Sequence, residues 1–146
     1  IQMKKYLLDT NIIIKLWNIS EKYLDKILKN GNVFILNEVL NELAVKEVRE
    51  YRRRDVLSER FCKLLPYSIE VEKENISGFY MIFDYKIKDK FNNHNLSLND
   101  LLQLYACYID DDLNLATEDK ELFNIAKYIL GNSRVLSLEE INYIEI

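Results

Sequence analysis

Glycine occurs three times and proline once in the 146 residues, too few for collagen-like, linker-rich or turn-rich all-β designs. The only cysteines, Cys62 and Cys107, form no CxxC pattern and cannot make a disulfide framework, so a reduced, cytoplasmic protein is expected. No apolar run approaches the ~18–20 residues that span a bilayer. The opening Ile1-Gln2-Met3-Lys4-Lys5 lacks the apolar stretch of a secretory signal. Positive charge is not in excess either: 20 Lys and Arg against 24 Asp and Glu give −4, so any nucleic-acid contact must rest on a local patch.

What remains is an ordinary globular composition, 49% hydrophobic and 30% charged, long enough to bury a core without staples. No Pro-, Gly- or Ser-rich stretch and no internal repeat divides it, so one domain over residues 3–146 is expected, with Ile1 and Gln2 ahead of a candidate initiator, Met3. Short β-rich runs alternate with longer helical patterns. Tyr6-Leu7-Leu8 reads as a buried strand ending at Asp9, and Tyr23, Leu24, Ile27 and Leu28 share one face of a helix over 21–30 that stops at Asn30-Gly31. Val33-Phe34-Ile35-Leu36 reads as a second strand, with Asn37 as the cap of a helix carrying Val39, Leu40, Leu43, Ala44 and Val48. A further helix is expected over 51–65, stopping before Pro66, then an edge strand over 67–72 and a helix over 74–91. Ser97-Leu98-Asn99-Asp100 has the pattern of a capping box opening a helix to Ile109. A strand over 113–117, a helix over 120–130 and a last strand over 134–138 complete the order. This alternation predicts a three-layer α/β/α sandwich around a mainly parallel sheet of about five strands.

Chemistry in such sheets gathers at the carboxyl ends of the strands. Asp9 closes the first strand, Glu42 lies early in the helix after the second, Asp100 sits in a capped first turn, and Asp119 follows the strand ending at Thr117. Two carboxylates ~4 Å apart repel by about 4 kcal/mol at an effective dielectric near 20. A hard divalent cation removes that cost, and a carboxylate set without His or Cys favours Mg²⁺ or Mn²⁺ over zinc.

These segments, quoted in order, resemble a known family. Leu7-Leu8-Asp9-Thr10-Asn11 is similar to the opening of PIN-domain ribonucleases, Asn41-Glu42-Leu43 to the helix with their second acid, and Asn99-Asp100-Leu101-Leu102 to their third. Leu115-Ala116-Thr117-Glu118-Asp119, continuing to Phe123, resembles their fourth. Gln103 and Tyr105 depart from the small residues expected after the third acid. The resemblance implies a PIN-like fold and a metal-dependent endoribonuclease, with small stand-alone members most often VapC-type toxins of toxin–antitoxin pairs. It implies Asp9, Glu42, Asp100 and Asp119 as holders of one or two Mg²⁺ or Mn²⁺ ions, and Asn11 and Thr117 as residues orienting ligands or water. RNA as substrate and an antitoxin protein as partner follow from the same resemblance, whereas the homodimer is expected from the apolar content of Ile12 to Trp17 and of the second helical pair.

Arg49, Arg52, Arg53, Arg54 and Arg60 place five of six arginines within twelve residues. They are open to three readings: phosphate attraction, a solvated helix pairing with Glu47, Glu50, Asp55 and Glu59, or docking of an acidic antitoxin segment. Tyr23, Tyr80, Tyr105, Tyr108 and Tyr128 sit at apolar helical positions and are expected in core or dimer packing. Asp110-Asp111-Asp112 is set aside as a metal site because three consecutive acids cannot all face one ion, and His94 is expected to be a loop residue rather than a base. An aspartate-nucleophile phosphotransferase would need a second Asp where Asn11 stands. The remaining rivals are a PIN-fold module that binds without cutting and an RNA-processing nuclease outside any toxin system.

Overall fold

The computed structural model describes residues 4–30 and 32–141. Strand β1 (Lys5–Leu8) leads into helices α1 (Thr10–Ile19) and α2 (Glu21–Asn30), followed by β2 (Val33–Leu36) and α3 (Asn37–Lys46). A hairpin, β3 (Val48–Tyr51) and β4 (Arg54–Leu57), precedes the short helix α4 (Glu59–Cys62) and β5 (Ser68–Ile69). Then come α5 (Ile76–Ile87), α6 (Leu98–Ile109), β6 (Leu113–Ala116), α7 (Lys120–Leu130), β7 (Val135–Leu136) and α8 (Leu138–Ile141).

The main sheet has five strands in the order β5-β2-β1-β6-β7, every pairing parallel. Parallel strands are buried on both faces, which explains why Leu7, Leu8, Ile35, Leu36, Leu115 and Ala116 are all fully buried. Burial of each large side chain contributes about 1.5–3 kcal/mol relative to exposure. Helices α1, α2 and α3 pack together, as do α5, α6 and α7, flanking the sheet in the expected α/β/α arrangement. From β1 the chain first builds outward through β2 and β5, then returns to β1's other side with β6 and β7. The carboxyl ends of β1 and β6 therefore border a topological switch point, the position at which open α/β sheets bind ligands.

The carboxyl end of α6 is fixed by Arg134, whose Nη2 donates to the carbonyls of Cys107 (2.6 Å), Asp110 (3.0 Å) and Leu113 (2.6 Å). Asp110 is a structural residue held by Lys5 Nζ at 2.6 Å, which keeps its carboxyl below the ordinary value. Burial pushes the Cys107 thiol up to about 12, so it is inert packing.

Four sequence expectations are corrected. The helix expected over 51–65 is instead the β3–β4 hairpin and α4; its turn places Arg52 and Arg53 at φ 51° and 63°. Charged side chains carry no apolar period by which such an exposed hairpin can be distinguished from an exposed helix. Asn37 is not a cap: α3 begins at that residue, and its Nδ2 donates to Glu70 Oε1 at 3.0 Å. The last strand shortens to Val135–Leu136 because Ser137 opens α8, its Oγ sharing Glu140 Oε1 at 3.1 Å. The edge strand expected over 67–72 is confined to Ser68–Ile69, beside β2. The helix stop at Gly31 lies outside the described residues.

Candidate active site

Asp9 is the first residue past β1, and its backbone N–H still donates to Ala116 O at 3.0 Å, continuing the β1–β6 ladder. Its extended backbone makes it the N-cap of α1, with Oδ1 accepting from Thr10 N–H at 2.8 Å. Two side chains complete its surroundings. Gln103 Nε2, from α6, donates to Oδ1 at 3.0 Å, and Thr117 Oγ1, from the end of β6, donates to Oδ2 at 2.7 Å. Asp9 is 6% exposed, and burial, opposed by these hydrogen bonds and assisted by repulsion from Glu42, holds its carboxyl above the ordinary 3.8. The helix dipole favours a charge here, but desolvation outweighs it.

The other sequence-identified residues cluster around this carboxylate. Glu42 is exposed, and its Oε2 accepts from Thr10 Oγ1 at 3.2 Å and Asn99 Nδ2 at 3.3 Å. Asn99 Nδ2 also reaches Glu38 O at 3.3 Å, tying the start of α6 to α3. Asp100 closes the capping box expected from the sequence: Ser97 Oγ accepts from Asp100 N–H, and Asp100 Oδ2 accepts from Ser97 N–H at 3.0 Å. Its carboxyl is also raised, by burial first, then by the charges of Asp9 and Asp119. Asp119 caps α7 through Leu122 N–H at 3.0 Å, and its own N–H donates to Thr117 Oγ1 at 3.1 Å. Asn11 Oδ1 accepts from Glu118 N–H at 3.1 Å, latching the segment after β6 to α1.

Asp9 is repelled by the charge of Glu42, and Asp100 by those of Asp9 and Asp119, so the interactions among these acids run pairwise. Among the described residues none of the four has a Lys or Arg within salt-bridge distance; the neighbouring Glu38 and Glu118 do, through Lys73 (3.1 Å) and Lys15 (3.4 Å). One oxygen each of Asp100 and Asp119 is taken by a helix cap. No three acidic, histidine or cysteine side chains among the described residues are grouped tightly enough to ligate one ion. The donors are carboxylate oxygens without His or Cys, a chemistry that suits Mg²⁺ or Mn²⁺ rather than zinc.

Gln103, a departure from the small residues expected after Asp100, is a site residue that the sequence pattern does not mark. It is 1% exposed, and its Oε1 has no partner while Nε2 holds Asp9. A polar residue at a core position of an apolar helix was the available signal. His94 is half-buried in its loop, Nδ1 accepting from Leu96 N–H at 3.2 Å and its ring lying edge-on to Phe83; it plays no part here.

The family model described as PIN domain matches residues 6–128. Among solved structures, the chain is similar to the crystal structure of PAE2754 from Pyrobaculum aerophilum, with a TM-score of 0.58 and 18% identity over 95% of this chain and 94% of that one. At that identity the likeness speaks for the fold alone. No curated protein matches the chain.

Proposed function

The chain belongs to the PIN-domain family, whose fold is of nuclease type, and on that premise we propose that it is a metal-dependent endoribonuclease hydrolysing RNA phosphodiester bonds. One observation carries the reading: Asp9 is a buried carboxylate at the sheet's switch point, repelled by Glu42 and held by Thr117 and Gln103, with no Lys or Arg among the described residues within salt-bridge distance. Asp9, Glu42, Asp100 and Asp119 would hold Mg²⁺ or Mn²⁺. Such an ion supplies Lewis acidity toward water and phosphoryl oxygens.

The chain's own residues do the rest. Thr117 and Gln103 fix the two oxygens of Asp9, so that the carboxylate is held in one orientation. Thr10 and Asn99 hold Glu42 by one oxygen. Asn11 keeps the Glu118–Asp119 segment against α1.

The test is RNA cleavage in Mg²⁺ or Mn²⁺ and in EDTA. Cleavage that needs the ion and drops on the order of 10–100-fold in Asp119→Asn supports the assignment. RNA binding without cleavage under any divalent ion would instead identify a binding module. Gln103→Leu is expected to cost about 1–2 kcal/mol of stability, because a hydrogen bond to the buried Asp9 carboxylate is lost while the unpartnered Oε1 goes with it, and to cut cleavage about tenfold or more. Thermal melting and turnover, measured on the same preparation, separate the two effects.

The toxin of a type II toxin–antitoxin pair is the biological setting that the sequence resemblance favours, with an antitoxin protein as partner, a homodimer as assembly and the cytoplasm as compartment. No helix among the described residues is long and apolar enough to cross a membrane. Growth arrest on expression, relieved by co-expressing a short neighbouring reading frame, is the expected outcome. Arrest that persists in Asp9→Asn would separate toxicity from cleavage and count against it.

A further inference from the structure

The arginine cluster divides in the structure. Arg60 pairs with Glu47 at 2.6 Å, and Arg49 lies 3.7 Å from the same carboxylate while donating to the carbonyls of Lys46 and Val48. Arg52, Arg53 and Arg54 have no acidic partner among the described residues; Arg52 instead lies over the Tyr51 ring, 5.2 Å from its centroid. The idea of a solvated helix with paired charges therefore fails for these three.

Hairpin register adds a second observation. Val48 opposes Leu57, Arg49 opposes Val56, Glu50 opposes Asp55 and Tyr51 opposes Arg54. Side chains alternate between faces, so one face carries Arg49, Tyr51, Arg54 and Val56, and the other Val48, Glu50, Asp55 and Leu57. All positive charge of the strands thus falls on one face together with an aromatic ring that is 58% exposed.

The turn provides a third. Arg52 and Arg53 both have positive φ, a conformation that two-residue hairpin turns ordinarily assign to Asn-Gly or Asp-Gly. Two arginines here cost backbone strain that a cheaper pair would avoid, and such strain points toward use rather than stability.

We propose that this face and its turn, centred on Tyr51, Arg52, Arg53 and Arg54, form a docking surface for single-stranded RNA. Guanidinium groups take phosphates, and Tyr51 offers a ring on which a base stacks. An acidic peptide would use the charges but not the ring. The surface follows directly from the end of α3: Glu47, at the hairpin base, lies about 7.5 Å along the helix axis from Glu42. The inference rests on RNA being the substrate.

Its test is binding of a short, fluorescein-labelled, mixed-sequence single-stranded RNA to the full chain in EDTA over a salt series. The double variant Arg52→Asn/Arg53→Gly supplies the residues that the turn prefers, so folding is expected to survive and the melting temperature to hold or rise. Affinity should fall about tenfold, and the slope of log affinity against log salt should shrink by about 1.4, as expected for two lost phosphate contacts. Tyr51→Ala should weaken binding at least about fivefold with an unchanged slope. Unchanged affinity and slope in the double variant overturn the proposal. So does loss of poly-glutamate binding with RNA binding intact, which would assign the hairpin to a protein partner. Because no cleavage is read, RNA that binds through the hairpin but is never cut under Mg²⁺ or Mn²⁺ defeats the nuclease reading alone.

Discussion

Asp9→Asn is expected to lower RNA cleavage by on the order of 10²–10³-fold while raising the melting temperature of the metal-free protein. Both effects have one cause. Burial penalises the charged form of this carboxyl, so ionising it in the absence of a cation strains the site. Asn retains an oxygen for Thr10 N–H and Gln103 Nε2 and turns an N–H₂ toward Thr117 Oγ1, preserving shape without charge. The sign follows by linkage. A carboxyl whose folded pKa lies above its unfolded value retains protons in the folded state, so stability is lost as pH rises from about 3.8 through that raised value. Wild type should therefore lose more stability than Asp9→Asn between pH 4 and neutrality in EDTA. Mg²⁺ should restore it, with a larger rise in melting temperature for wild type than for the variant. Equal melting curves with and without Mg²⁺ in both proteins would defeat this account, as would wild-type cleavage by the variant.

The second large effect is structural. Glu47 is 4% exposed at the end of α3 and accepts from Arg60 Nε at 2.6 Å, Arg60 Nη2 at 2.9 Å and Ser58 Oγ at 2.8 Å. The Arg60 guanidinium also stacks on Trp17, 4.2 Å from the ring centroid. Arg60→Met removes the partner and leaves a buried carboxylate. Breaking a fully buried pair costs about 3–5 kcal/mol; with Arg60 31% exposed, about 2 kcal/mol is expected, a fall in melting temperature of roughly 6 °C. The hydrogen bond from Arg60 holds the Glu47 carboxyl below its ordinary 4.5. A depressed carboxyl stabilises above its unfolded pKa and loses that contribution as pH falls through the folded value. The difference between wild type and Arg60→Met should therefore be full at neutral pH and shrink below about pH 4.5. Trp17 fluorescence reports the same loss locally. A constant difference across that range would mean that packing on Trp17, not the charge pair, dominates.

These two cases show what could be read from the residues. Leu7-Leu8-Asp9 announced a buried strand ending in a charge, because an acid directly after apolar residues is costly unless the fold uses it. Ser97 and Asp100 announced their helix through a local hydrogen-bond pattern that needs no tertiary partner. Gln103 looked anomalous in sequence, but its role depends on a contact to Asp9 94 residues away, which no local pattern encodes.

The alternation of strands and helices, the capped start of α6 and the four candidate acids are legible in the residue order, since each depends on near neighbours or on periodicity. Tertiary structure decided the hairpin over 48–57, the pairing of Glu47 with Arg60, and the hydrogen bonds of Gln103 and Thr117 to Asp9. Exposed charged residues have no preferred period, so only register and long-range partners could settle which arginines are committed to the fold and which face outward.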